Sequence, residues 1–139
     1  MQVELSYPVF VLPRKSNMVY VYFKEKDLKS TSEELLQKLD YTNLDLIDVS
    51  GYMYKIKKVF KVKYLGLWGF NPLLKGRQIL VDFEYAPEVE KVLLSDFKKD
   101  IIHRIDKTKQ IWQPGWDMGE LKEAVTNSSS FEEIADLLK

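Results

Sequence analysis

Cysteine is absent from the 139-residue chain, and histidine occurs once, at position 103. With no thiol, a disulfide framework, cysteine catalysis and thiolate metal sites are excluded. A zinc site of ordinary type needs several His or Cys ligands, and one histidine cannot supply them. No metal and no cofactor is therefore expected. Glycine is sparse as well. Gly51, Gly66, Gly69, Gly76, Gly115 and Gly119 fall into neither the Gly-x-Gly-x-x-Gly pattern nor a Walker spacing, so a phosphate cradle is unsupported. No Gly-x-Ser-x-Gly elbow exposes a serine for a Ser-His-acid triad. Long apolar runs are missing too. Pro8 and Pro13 interrupt the N-terminal apolar stretch, and Met1-Gln2-Val3-Glu4 has no basic region. No signal peptide or spanning helix is readable, so a cytoplasmic protein without a membrane partner is the expectation.

What is present suits one α+β domain over 1–139, with 45% hydrophobic and 30% charged residues. The 21 basic and 21 acidic side chains cancel globally but not locally. Residues 51–81 carry seven basic groups and no acid, whereas 31–50 and 117–139 are each net −4. Such blocks either steer a charged partner or pair with one another across the fold.

Residues 3–12 place Val3, Leu5, Tyr7, Val9 and Val11 on one face, the period of a strand, with Pro8 demanding an edge or a broken ladder. Pro13-Arg14-Lys15-Ser16-Asn17 is turn chemistry, and 18–23 completes a hairpin. Ser30 or Thr31 followed by Glu33 or Glu34 predicts a capped helix to about Asp40, and 44–49 a brief strand. Through 54–64 the even positions are apolar except Lys58, and the odd positions are lysine except Val59. This is a long amphipathic strand, apolar face inward, with a bulge expected near Lys58-Val59. Residues 78–85 alternate again, setting Asp82 and Glu84 opposite the lysines. Pro87 as first residue, with Val89, Leu93, Phe97 and Ile101 as a stripe, predicts a helix of about 22 residues. Two short helices follow, the second capped by Ser130. The fold class is α+β: a mostly antiparallel sheet of about five strands, one long helix on one face, and short C-terminal helices.

Three surfaces compete for function. The 65–77 connection carries Trp68 and Phe70, and 112–116 carries Trp112 and Trp116. Tryptophan is enriched at interface hot spots, although these rings also suit a core end. Lys55, Lys57, Lys61 and Lys63, with Lys75 and Arg77 nearby, could track phosphates, but the strand's aromatics point the other way. A pocket between sheet and long helix near Tyr85 and His103 would suit a small ligand or an enzyme. His103 itself reads as a half-buried helix residue. The leading expectation is a small non-catalytic protein that binds another protein, as an inhibitor or immunity-type module does. A nucleic-acid module on the lysine strand and a small-ligand binder or enzyme are the alternatives. Oligomeric state is not readable.

Overall fold

The hairpin at the start of the chain forms, but later and shorter than the alternation predicts. The computed structural model describes residues 3–32, 35–36, 40–64 and 78–139. Strand β1 is Val9–Pro13, and its ladder opens only after Pro8, which has no N–H to donate. β2, Tyr20–Tyr22, pairs with β1 antiparallel. β1 also pairs with β4, Leu44–Asp48, and so lies inside the sheet. That position explains its unbroken apolar run: Phe10 and Leu12 face one core, Val9 and Val11 another.

Between them the chain departs from expectation. The alternating Lys24-Glu25-Lys26-Asp27 run leads into a helical turn, α1 (Glu25–Leu28), and Ser30–Ser32 is an edge strand, β3. Leu35 and Leu36 are helical, but the cap is Ser32, whose Oγ accepts the Leu35 N–H at 3.1 Å. Ser30 and Thr31 are committed to the β3–β6 ladder and cannot cap. Glu33, Glu34 and Leu39 lie outside the described residues.

β5, Tyr52–Tyr64, is the long lysine strand, and β6, Gln78–Tyr85, is its antiparallel partner. Register shifts fall between Ile56 and Lys58 and between Lys61 and Lys63. The expected bulge is therefore real, and it reverses which residues face inward. Tyr54 and Ile56 face the core, but beyond the bulge it is Val59 that packs there. Phe60 and Val62, expected inside, are 43% and 51% exposed. One inserted residue is enough, because the side-chain period of a strand is two.

The helix expected from Pro87 begins seven residues later. Glu90–Lys91 form a short strand, β7, against Tyr52 and Met53, and Val92 N–H donates to the Gly51 carbonyl at 2.7 Å. Val89 and Leu93 are consequently exposed rather than buried in a helical stripe. α2 spans Leu94–Lys107 and buries Phe97, Ile101 and Ile105. The turn α3 (Lys109–Trp112), α4 (Met118–Asn127) and α5 (Phe131–Leu137) complete the layer. Asp117 caps α4 and Ser130 caps α5, each accepting a backbone N–H of the first turn. These helices cover one sheet face through Leu121, Val125, Ile134 and Ala135, with Phe10 edge-on to Phe97 at 4.7 Å.

Strand order is β2-β1-β4-β5-β6-β3, with β7 joined to β5. β2 and β3 are thus opposite ends of the six-strand path, yet residues 23–29 join them. A flat path of that width would hold its edges roughly 24 Å apart. The four residues of α1 advance only about 6 Å of the link. The sheet curls instead and brings β2 and β3 toward each other around a second core, Val9, Val11, Tyr41, Leu46, Ile56, Ile79, Val81 and Phe83.

Candidate functional site: the lumen of the curled sheet

A cavity of about 820 Å³ opens inside the curl. Every strand of the six-strand path contributes a wall residue: Val11, Tyr20 and Tyr22, Thr31, Leu44 and Leu46, Ile56, and Phe83. Leu28 of α1, in the link between β2 and β3, also lines it. Pairing explains why these side chains converge. Tyr20 lies opposite Val11, Val11 opposite Leu46, and Thr31 opposite Ile79, so all share the concave face.

Val11, Leu46, Ile56 and Phe83 form an apolar floor, each nearly buried. Tyr20, Tyr22 and Tyr41 bring phenol groups to the same space. Burial pushes the Tyr22 phenol above its ordinary range, with Tyr41, Tyr20 and Asp27 adding to the shift. At the rim stand Lys15, Ser16, Asp40 and Asn43. The Asp40 carboxylate accepts from the Thr42 N–H at 3.1 Å, from the Thr42 hydroxyl and from Asn43 Nδ2. The Thr42 hydroxyl chiefly holds its pKa below the usual carboxylate range, helped by the charges of Lys15 and Arg14.

A second cavity, of about 650 Å³, lies beside the outer end of α1 and collects Glu4, Tyr7, Glu25, Lys29, Asp82 and Tyr85. Lys29 Nζ sits 2.7 Å from Glu25 and 2.9 Å from Asp82, with its side chain 16% exposed. Burial alone would lower its pKa, but the hydrogen bonds to the two carboxylates outweigh burial and raise it. Desolvation likewise opposes the charge on Asp82, yet Lys29 and the Phe83 N–H hold it below its ordinary value. Burial, reinforced by Glu25, pushes the Tyr7 phenol up to about 12. Burial also raises Tyr85. A lysine so firmly protonated is no nucleophile, and acids occupied by it are poor general bases. Chemically this cluster is a strap that ties α1 to β6, supported by the Val81 N–H bond to the Lys29 carbonyl at 2.8 Å.

Tyr85 and His103, expected to flank a pocket between sheet and long helix, are not brought together. That space is filled by the Phe10–Phe97 core, Tyr85 belongs to the concave side, and His103 is exposed rather than half-buried. Among the lysines, Lys55 reaches Glu90 and Lys57 reaches Glu84, both at 3.9 Å. Glu84 thus pairs with the lysine strand as expected, whereas Asp82 turns to Lys29. Lys61 is exposed, while Arg77, Lys75 and the Lys63 side chain lie outside the described residues. Trp68 and Phe70 lie outside them as well. Trp112 and Trp116 are half-buried at the margin of the helix–sheet core, and Trp112 Nε1 donates to Thr108 Oγ1 at 3.0 Å. The acidic C-terminal block stands outward: Asp117, Glu120, Glu123, Glu132, Glu133 and Asp136 are all exposed.

Sequence reasoning missed the lumen because it treated the sheet as having one buried face. The available signal was the double apolar run of β1, which only a strand buried on both sides requires. Among the described residues no group of acids and histidine could hold a metal ion, and no helix is long and apolar enough to cross a membrane. No family model, no curated protein and no solved structure matches the chain.

Proposed function

We propose that the chain is a non-catalytic binding protein that holds a small, largely apolar molecule in the lumen of its curled sheet. One observation carries this reading: a cavity of about 820 Å³ with an apolar floor and a few convergent hydroxyls, walled by six strands. Ligand sites are typically of about 300–1,000 Å³, mostly apolar, with a small number of placed polar groups. The walls are strands of a hydrogen-bonded sheet, which hold a site more firmly than loops do. The test is amide chemical-shift mapping with N-phenyl-1-naphthylamine, a compact neutral aromatic probe. Shifts are expected on β1, β3 and β4 and at Tyr41. Shifts confined to α4 and α5, or none at all, would sink the reading.

A second reading, binding to a protein partner as an inhibitor or immunity-type module does, is favoured by the outward acids of α4 and α5. Only two lysines share that block, Lys122 and Lys139, and Lys122 is engaged with Asp106 at 3.0 Å. A basic partner would suit this face, since complementary charge speeds and orients association. Joint replacement of Glu120, Glu123 and Glu132 by lysine should then abolish capture of that partner while leaving the lumen probe bound. The nucleic-acid alternative is less supported, because Lys55 and Lys57 already face glutamates.

A further inference from the structure

Resting on the lumen reading, we infer that the occupant is an uncharged molecule with a hydrogen-bonding end, seated with that end among Tyr20, Tyr22 and Tyr41 and its apolar body on Leu46, Ile56 and Phe83. Charge decides the class of occupant. Among the described residues the lining includes two charged side chains, Lys15 and Asp40, both exposed at the rim. They have opposite sign, and Asp40 is already engaged by Thr42 and Asn43. An ion carried past that rim would lose its hydration and, among the described residues, meet hydrocarbon and hydroxyl groups that do not repay the loss. A neutral hydroxyl, carbonyl or amine loses far less, and a phenol can either donate to it or accept from it.

The geometry also orients such a molecule. Tyr20 and Tyr22 stand on β2, opposite Val11 and Val9, and Tyr20 is 42% exposed. Leu46, Ile56 and Phe83 lie deeper, on three adjacent strands, with almost no exposure. Polar contact is thus available from β2 and from Tyr41, in the 41–43 turn with its ring 5.8 Å from Phe83, and apolar contact on the floor. Inside the rim, the described lining is amphiphilic and uncharged.

The test uses two probes that share one aromatic frame and differ in a single charge, N-phenyl-1-naphthylamine and 1-anilinonaphthalene-8-sulfonate. Each is titrated by fluorescence into the whole protein and into its Thr31→Trp, Leu44→Trp and Tyr22→Phe variants, with near-UV circular dichroism confirming that each variant is folded. The neutral probe is expected to bind at least tenfold more tightly, to weaken at least tenfold in whichever tryptophan variant folds, and to weaken several-fold in Tyr22→Phe. Equal or tighter binding of the sulfonate, with both probes displaced by tryptophan, overturns the charge rule while the lumen reading stands. An unaltered affinity in Tyr22→Phe overturns the placement of the polar end. Probe binding indifferent to both tryptophan variants overturns the lumen reading and this inference together.

Discussion

Arg104 holds the β1–β2 hairpin to α2. Its Nη1 donates to the carbonyls of Pro13, Ser16 and Met18 at 3.0–3.1 Å, while its Nε faces Asp100. The side chain is 11% exposed, and removing it takes the donor from the part-buried carbonyls of Pro13 and Met18. Arg104→Gln should cost about 2–3 kcal/mol in urea unfolding, the scale of losing hydrogen bonds to a charged group. A loss below about 0.5 kcal/mol, typical of surface substitutions, would mean that water replaces it. In sequence Arg104 looks like an ordinary helix-surface cation four residues after Asp100, and nothing local announces the hairpin it serves. The tyrosines give a second residue-scale expectation. Burial raises the phenols of Tyr7, to about 12, and of Tyr22 and Tyr85. The unfolded chain gives up these protons near pH 10 while the folded protein retains them, so rising pH favours unfolding. Their contribution is intact below pH 10 and is lost as pH rises toward 12. Denaturation monitored across that range, with tyrosinate absorbance read in parallel, should show stability falling. Tyr7→Phe should flatten part of the slope, and an unchanged slope would contradict the assignment.

Among the elements, the β4–β5 turn shows how local chemistry sets a boundary that helical periodicity obscures. Asp48, 1% exposed, accepts the N–H groups of Ser6 at 3.0 Å and Ser50 at 3.2 Å, while Gly51 turns at φ +87°. A Cβ on Gly51 would lie 3.1 Å from the Phe131 ring, in a backbone region that other residues rarely adopt. Gly51→Ala should therefore destabilise by about 1–2 kcal/mol, measured by thermal unfolding. Stabilisation would be the contrary result. The same turn fixes β7, because the Gly51 carbonyl accepts the Val92 N–H. That pairing holds 90–92 extended, even though Pro87 and a four-residue apolar spacing suggested a helix there. Helix patterning survived in the two C-terminal helices, whose N-termini carry side-chain caps. Ser130 is the clearer case, accepting the Glu133 N–H at 3.1 Å, with Glu133 reaching back to the Ser129 N–H at 2.8 Å. Ser130→Ala should cost about 1 kcal/mol and fray α5, seen as faster amide exchange there. Unchanged exchange would contradict it.

For the molecule as a whole, what was legible was the class and the alternation: an antiparallel sheet, a helix on one face, and short helices at the end. The lumen was not, and the reason lies in residues far apart in the chain. Curvature follows from the strand order, from two register shifts in β5, and from the short α1 link between opposite sheet edges. None of these is a property of a sequence window. The structural consequence is a fold with two cores, one filled by Phe10, Phe97 and the helices, the other opening to the cavity on which the proposed function rests. Anomalous diffraction from crystals soaked in 4-iodophenol, a neutral aromatic alcohol, tests that claim most directly. The iodine peak is expected within the curl, between Thr31, Leu44 and Phe83. Iodine found only outside it would contradict the account.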